Sequence, residues 1–166
     1  AGGRQCRCGN RGCVEAYIGA PGILQTLIEI DPQSELLFAD DQTRTIEAIA
    51  SAARQNDSTA LAVVHQTAVY LSAGFSSLIN IFNPELIIMD SWVAALLGPI
   101  ILPELLELIR KQSLAQPFSA VRFALSDLAR NPVSLGAATL VLEEFLASAG
   151  RQSALARSEA IINAKN

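Results

Sequence analysis

At 166 residues the chain has the length of one ordinary domain, enough to bury a stable core without disulfide staples. Half of its residues are apolar (51%) and 17% are charged, a balance that suits a well-packed globule and argues against a disordered tail. Sixteen acidic against twelve basic residues leave a net charge of −4, which argues against direct nucleic-acid binding by this stretch, since counterion release needs clustered positive charge.

Residues 1–13 are rich in Gly, Cys and Arg with no hydrophobic period, and they predict a tight loop. Arg4, Arg7 and Arg11 within it read as solvated surface. From Val14, the apolar positions Tyr17, Ile18, Leu24, Leu27 and Ile28 predict helix on either side of Gly19 and Pro21, ended by Asp31-Pro32. Thr43 is placed to cap a second, Ala-rich helix running to about Gln55.

Asn56-Asp57-Ser58 punctuates the chain. Leu61, Val64, Ala68, Leu71, Phe75, Leu78 and Phe82 then follow at spacings of three and four, predicting a long core helix closed by Asn83-Pro84. Gly74 in its middle either admits close approach by another backbone or is a tolerated weakness.

Glu85 to Met89 predicts a buried strand, and a helix follows with Pro103 in its first turn and Leu105, Leu106, Leu108 and Ile109 on its inner face. Val121, Phe123 and Leu125 alternate with small or polar neighbours and mark a second strand. Pro132 introduces a further helix, and a polar terminal helix is expected from Ser153 to Ala164. Helix, strand, helix, strand, helix is an α/β order with parallel strands and a crossover. Asp90, Pro99 and Pro103 interrupt the apolar runs, so no segment of about 20 residues is expected to span a membrane. No signal peptide is visible, and the expected location is the cytoplasm.

All three cysteines fall in Cys6-Arg7-Cys8-Gly9-Asn10-Arg11-Gly12-Cys13, where Gly9 and Gly12 permit sharp turns that gather the sulfurs. Zinc takes four tetrahedral ligands, so three thiolates need one more. His65, the sole histidine, lies in the long helix and is a poor candidate. A disulfide framework is disfavoured by the odd cysteine number.

The string Cys6-x-Cys8-Gly9-x-x-Gly12-Cys13-x-Glu15 resembles the signature of the ROK family of repressors, open reading frames and sugar kinases. The resemblance continues through Leu78-Ile79-Asn80-Ile81-Phe82-Asn83-Pro84-Glu85 and Gly136-Ala137-Ala138. It implies zinc at Cys6, Cys8 and Cys13, with a histidine about ten residues upstream as fourth ligand. It implies a helix-rich α/β fold, the C-terminal lobe of an actin-like, ribonuclease-H-like ATPase fold with a short parallel sheet. Residues 1–14 would form the zinc-binding loop and 15–166 the lobe.

By position, Glu15 matches the family glutamate that hydrogen-bonds sugar hydroxyls; without the resemblance it reads as a helix-start acid favoured by the macrodipole. Family kinases place two or three glycines after the strand that follows Asn-Pro, and this chain has Asp90-Ser91-Trp92. That departure disfavours ATP binding. The expectation is therefore the sugar- or sugar-phosphate-binding and assembly part of a homo-oligomeric transcriptional regulator, reaching DNA through an N-terminal domain outside this sequence. A kinase lobe and a free-standing zinc module are the alternatives.

Overall fold

The computed structural model describes residues 2–126 and 132–147. The chain divides into two compact units, residues 1–127 and 128–166, and the first holds all the elements but the last helix. These elements are α1 (Glu15–Ile18), α2 (Ala20–Ile30), α3 (Gln42–Arg54), α4 (Ser58–Phe82), β1 (Leu86–Met89), α5 (Trp92–Gln112), α6 (Ala115–Ala120) and β2 (Arg122–Leu125). In the second unit, α7 (Pro132–Ala147) carries Gly136-Ala137-Ala138 as expected. The expected terminal helix at Ser153 to Ala164 lies outside the described residues.

The long helix α4 is the spine, packed against α2, α3 and α5. Its ends are set by local chemistry. The Asp57 side chain accepts from the Ala60 N–H, and Asn83 closes the helix in the left-handed region at φ 46°.

The buried face of α4 differs from the large-residue seam read from the sequence. It consists of Ala60, Val63, Val64, Thr67, Ala68, Ser72, Ser76 and Ile79, whereas Leu78 and Phe82 are exposed. Three helices crowd against α4, and small side chains let their axes approach; Thr67 satisfies its hydroxyl on the Val63 carbonyl. Gly74 faces no backbone. A Cβ there would meet Val14 Cγ1 at an ordinary 3.7 Å.

Helix α3 starts at Asp41 rather than Thr43, because the Asp41 carboxylate accepts the Arg44 N–H at 2.9 Å. Thr45 Oγ1, buried, accepts the Phe38 N–H and so secures the preceding loop.

Helix α5 begins at Trp92, capped by Ser91 Oγ on the Ala94 N–H, and continues through Pro99 and Pro103. Pro103 is thus interior, not in a first turn. Each proline removes a backbone donor, a cost of about 3 kcal/mol in a helix interior, and the burial of Leu97, Ile101, Leu105 and Ile109 against the α2–α4 layer offsets it. The prolines therefore do not interrupt the apolar run as expected. By length and composition alone α5 is long and apolar enough to cross a membrane, and one such helix is weak evidence of a span.

β1 and β2 pair in parallel, Leu86 with Arg122 through Met89 with Leu125, and α5 with α6 forms the crossover. The sheet meets α5 closely: a Cβ on Gly98 would lie 2.7 Å from Leu125 Cδ2. Phe123 packs edge-on to Phe75 of α4 at 5.7 Å. Only one face of β1 is covered among the described residues, since Ile87 and Met89 pack on the core while Leu86 and Ile88 are exposed. The strand is half-buried, not buried.

The joint between α1 and α2 is a tight backbone approach. An added Cβ on Gly22 would sit 2.7 Å from the Ala16 carbonyl oxygen and the Tyr17 carbonyl carbon. Gly22→Ala must push α1 away from α2 and is expected to cost about 1–3 kcal/mol, the usual range for overpacking. Denaturant titration would measure this, and an unchanged midpoint would show that the joint is loose.

Candidate metal centre and adjoining cleft

Residues 3–13 fold into a hairpin made almost entirely of backbone. Gln5 and Arg11 form an isolated antiparallel bridge, the Cys6 N–H donates to the Asn10 carbonyl at 2.9 Å, and the Gly9 N–H donates to the Cys6 carbonyl at 3.0 Å. Gly9 and Gly12 take φ +91° and +77°, a region that side-chain-bearing residues rarely enter, which is the physical content of their spacing in the sequence. At the base the Gly12 N–H donates to the Arg4 carbonyl at 2.9 Å.

This turn gathers the three sulfurs within 4.8 Å of one another, with Cys8 Sγ 3.6 Å from Cys13 Sγ. Tetrahedral Zn–S bonds of about 2.3 Å imply sulfurs roughly 3.8 Å apart, so the donor set fits a thiolate-loving cation with one position left over. Crowding affects the thiols unequally. Hydrogen bonding first with Cys8 and then with Cys6 pushes Cys13 up to about 11, while the Asn10 backbone, before any neighbouring thiol, lowers Cys8.

Among the described residues the cluster contains these three ligands alone. His65 stands apart on α4, where its Nδ1 meets Glu104 Oε1 of α5 at 2.5 Å.

Arg4 is not the solvated residue that the sequence suggested. Its guanidinium donates to the Gly22 carbonyl (2.9 Å), to Thr26 Oγ1 (3.0 Å) and to Glu29 Oε2 on α2, and lies over the rings of Tyr17 and Tyr70. Its backbone N–H donates to the Tyr17 hydroxyl at 2.9 Å. The guanidinium in turn holds the Glu29 carboxyl below the ordinary carboxylate range. The missed signal is spacing: Gly22, Thr26 and Glu29 recur at four and three residues, one face of a helix offering successive acceptors.

Glu15 is the first residue of α1, directly after the hairpin, and is exposed. Its carboxylate folds over Gly19, where a Cβ would stand only 2.6 Å from Glu15 Oε1. Glu15 and the Asp90-Ser91-Trp92 turn line one cleft of about 350 Å³, floored by Ile23, Leu71 and Leu97. Residues 75 positions apart in sequence therefore share a cavity. Ser91 is committed to capping α5, while Asp90 and Trp92 remain exposed.

The chain is similar to the xylose repressor of Caldicellulosiruptor bescii, 26% identical over 145 residues that cover 85% of this chain and 36% of that protein. It is similar also to the glucokinase of Halalkalibacterium halodurans, 28% identical over 148 residues, or 86% of this chain and 44% of that enzyme. A crystal structure of a ROK family transcriptional regulator, homologous to the Mlc protein of E. coli, superposes with a TM-score of 0.61 at 31% identity, covering 75% of this chain and 31% of that one. The chain thus spans about a third of the length of the repressors it matches and has the helix-rich, actin-like architecture of its structural neighbours, with a short parallel sheet. The ROK family pattern runs over residues 1–144, from the cysteine hairpin into α7, and the chain belongs to the ROK family.

Proposed function

We propose that this chain is the sugar-binding C-terminal lobe of a cytoplasmic transcriptional regulator that assembles as a homo-oligomer. The observation that carries the reading is the shared cleft, with the Glu15 carboxylate in the same cavity as the Asp90-Ser91-Trp92 turn. A carboxylate accepts hydrogen bonds from sugar hydroxyls without further preparation, and a cavity with apolar walls and few polar groups suits a small ligand. Asp90, Ser91 and Trp92 put side chains where close nucleotide approach needs bare backbone, so the site keeps sugar recognition and disfavours phosphoryl transfer. The similarity to xylose repressors supports the same direction.

In this reading residues 1–14 are the zinc loop and 15–166 the lobe. Cys6, Cys8 and Cys13 hold zinc, whose fourth ligand is a histidine about ten residues upstream, and the ion's part is to brace the hairpin beside Glu15. DNA is reached through an N-terminal domain, consistent with the acidic charge of this lobe. Sugar binding shifts one lobe against the other and thereby the spacing of the DNA-binding heads. The second reading, a lobe of a sugar kinase, has the glucokinase similarity in its favour.

Two measurements on the full-length protein test this. Elemental analysis is expected to find about one zinc per chain, lost on Cys13→Ser; a metal-free native protein contradicts the zinc assignment. Titration calorimetry with D-xylose and D-glucose is expected to show saturable binding of at least one of them, weakened about tenfold by Glu15→Gln, the scale of one charge-assisted hydrogen bond. Unchanged affinity in that variant removes Glu15 from the site.

A further inference from the structure

We propose that Arg4 is a positioning residue for Glu15, acting as a second, metal-independent latch between the cysteine hairpin and the cleft. The inference rests on the sugar-binding reading of Glu15. Helix α1 has only four residues, no side-chain N-cap and no buried side chain, so its own packing does not fix the helix that carries Glu15 against the cleft. What flanks it must do so.

On one side stands the hairpin, whose sulfurs a cation would tie to each other but not to α2. The tie to α2 is Arg4. Its side chain is only 14% exposed and its planar fork spans one face of α2, meeting the Gly22 carbonyl, Thr26 Oγ1 and the Glu29 carboxylate. The same residue grips α1 twice through Tyr17, by the backbone N–H on the hydroxyl and by the guanidinium 4.9 Å from the ring centroid. Tyr17 in turn packs against Tyr70 of α4 at 4.8 Å.

Close backbone contacts leave this joint one fit. A Cβ on Gly3 would lie 2.5 Å from Gly12 Cα and 2.7 Å from the Tyr17 hydroxyl, so hairpin base, Arg4 and Tyr17 interlock two residues from Glu15. Ala20 and Ile23, at the start of α2, line the cleft itself. Arg4 therefore bolts the element that carries Glu15 to the element that forms the cleft wall, without touching the ligand.

The test uses the full-length protein with D-xylose or D-glucose, whichever binds, and compares Arg4→Ala, Arg4→Lys, Glu15→Gln and the Arg4→Ala/Glu15→Gln double variant by titration calorimetry and zinc content. Arg4→Ala is expected to weaken binding about tenfold with about one zinc per chain retained. Arg4→Lys, which keeps the Glu29 pair but not the fork, is expected to recover part of the loss and to report on the latch if Arg4→Ala does not fold. In the Glu15→Gln background Arg4→Ala is expected to add less than about twofold, because two residues acting through one contact are not additive.

Native affinity in both Arg4 variants, or a full additive loss in the double variant, overturns the latch while leaving Glu15 in the site. An unchanged affinity in Glu15→Gln alone instead removes Glu15 from the site, and the latch with it.

Discussion

The seam between α4 and α5 supports everything else in the first unit. Helix α5 carries two interior prolines and could not persist as a continuous helix on propensity alone. It persists because Leu97, Ile101, Leu105 and Ile109 are almost fully buried in the same cluster as Val63, Val64 and Ile79 of α4. With α5 held, its N-terminus presents Asp90-Ser91-Trp92 to the cleft, and its close pass at Gly98 sets the place of β2. With α4 held, Tyr70 and Leu71 furnish the surfaces against which the hairpin and the cleft are built.

The hairpin is the opposite kind of structure. Apart from Cys6 it buries little, and its order comes from backbone hydrogen bonds, two left-handed glycines and the polar grip of Arg4. A cation shared by three thiols suits such a turn, because ligation replaces the hydrophobic core that a loop of this size cannot assemble. Placing Glu15 two residues after Cys13 makes the stiffness of this turn available to the cleft.

Much of this was legible in the sequence for identifiable reasons. The cysteine and glycine spacing encodes the turn, since the positive φ of Gly9 and Gly12 is what folds the three sulfurs to within 4.8 Å of one another. The boundaries of α4 followed from Asp57 and Asn83-Pro84, whose local chemistry does not depend on tertiary context. Its buried face followed only in part. Of the periodic seam, Val64 and Ala68 are buried and Leu71 and Phe75 pack on the core, but Leu61, Leu78 and Phe82 are exposed. Crowding by neighbouring helices adds Ala60, Thr67, Ser72 and Ser76, which a pattern of large residues cannot disclose. Proline misled in the same way, because burial outweighs its local penalty in α5. Arg4 was hidden because its acceptors lie on another element 18 to 25 residues away. The Glu15 cleft depends on the return of the chain at Asp90, a long-range fact carried here only by the family resemblance.

Regulator and kinase differ in what the same cavity does once a sugar enters it. The most direct measurement is incubation of the full-length protein with D-xylose or D-glucose and Mg-ATP, followed by quantification of sugar phosphate alongside the protein's affinity for the DNA upstream of its own gene. The regulator reading predicts no sugar phosphate above background and a sugar-dependent change in DNA affinity of about fivefold or more, the scale of ordinary allosteric coupling. Turnover of sugar to sugar phosphate, with DNA affinity absent or indifferent to sugar, would contradict it.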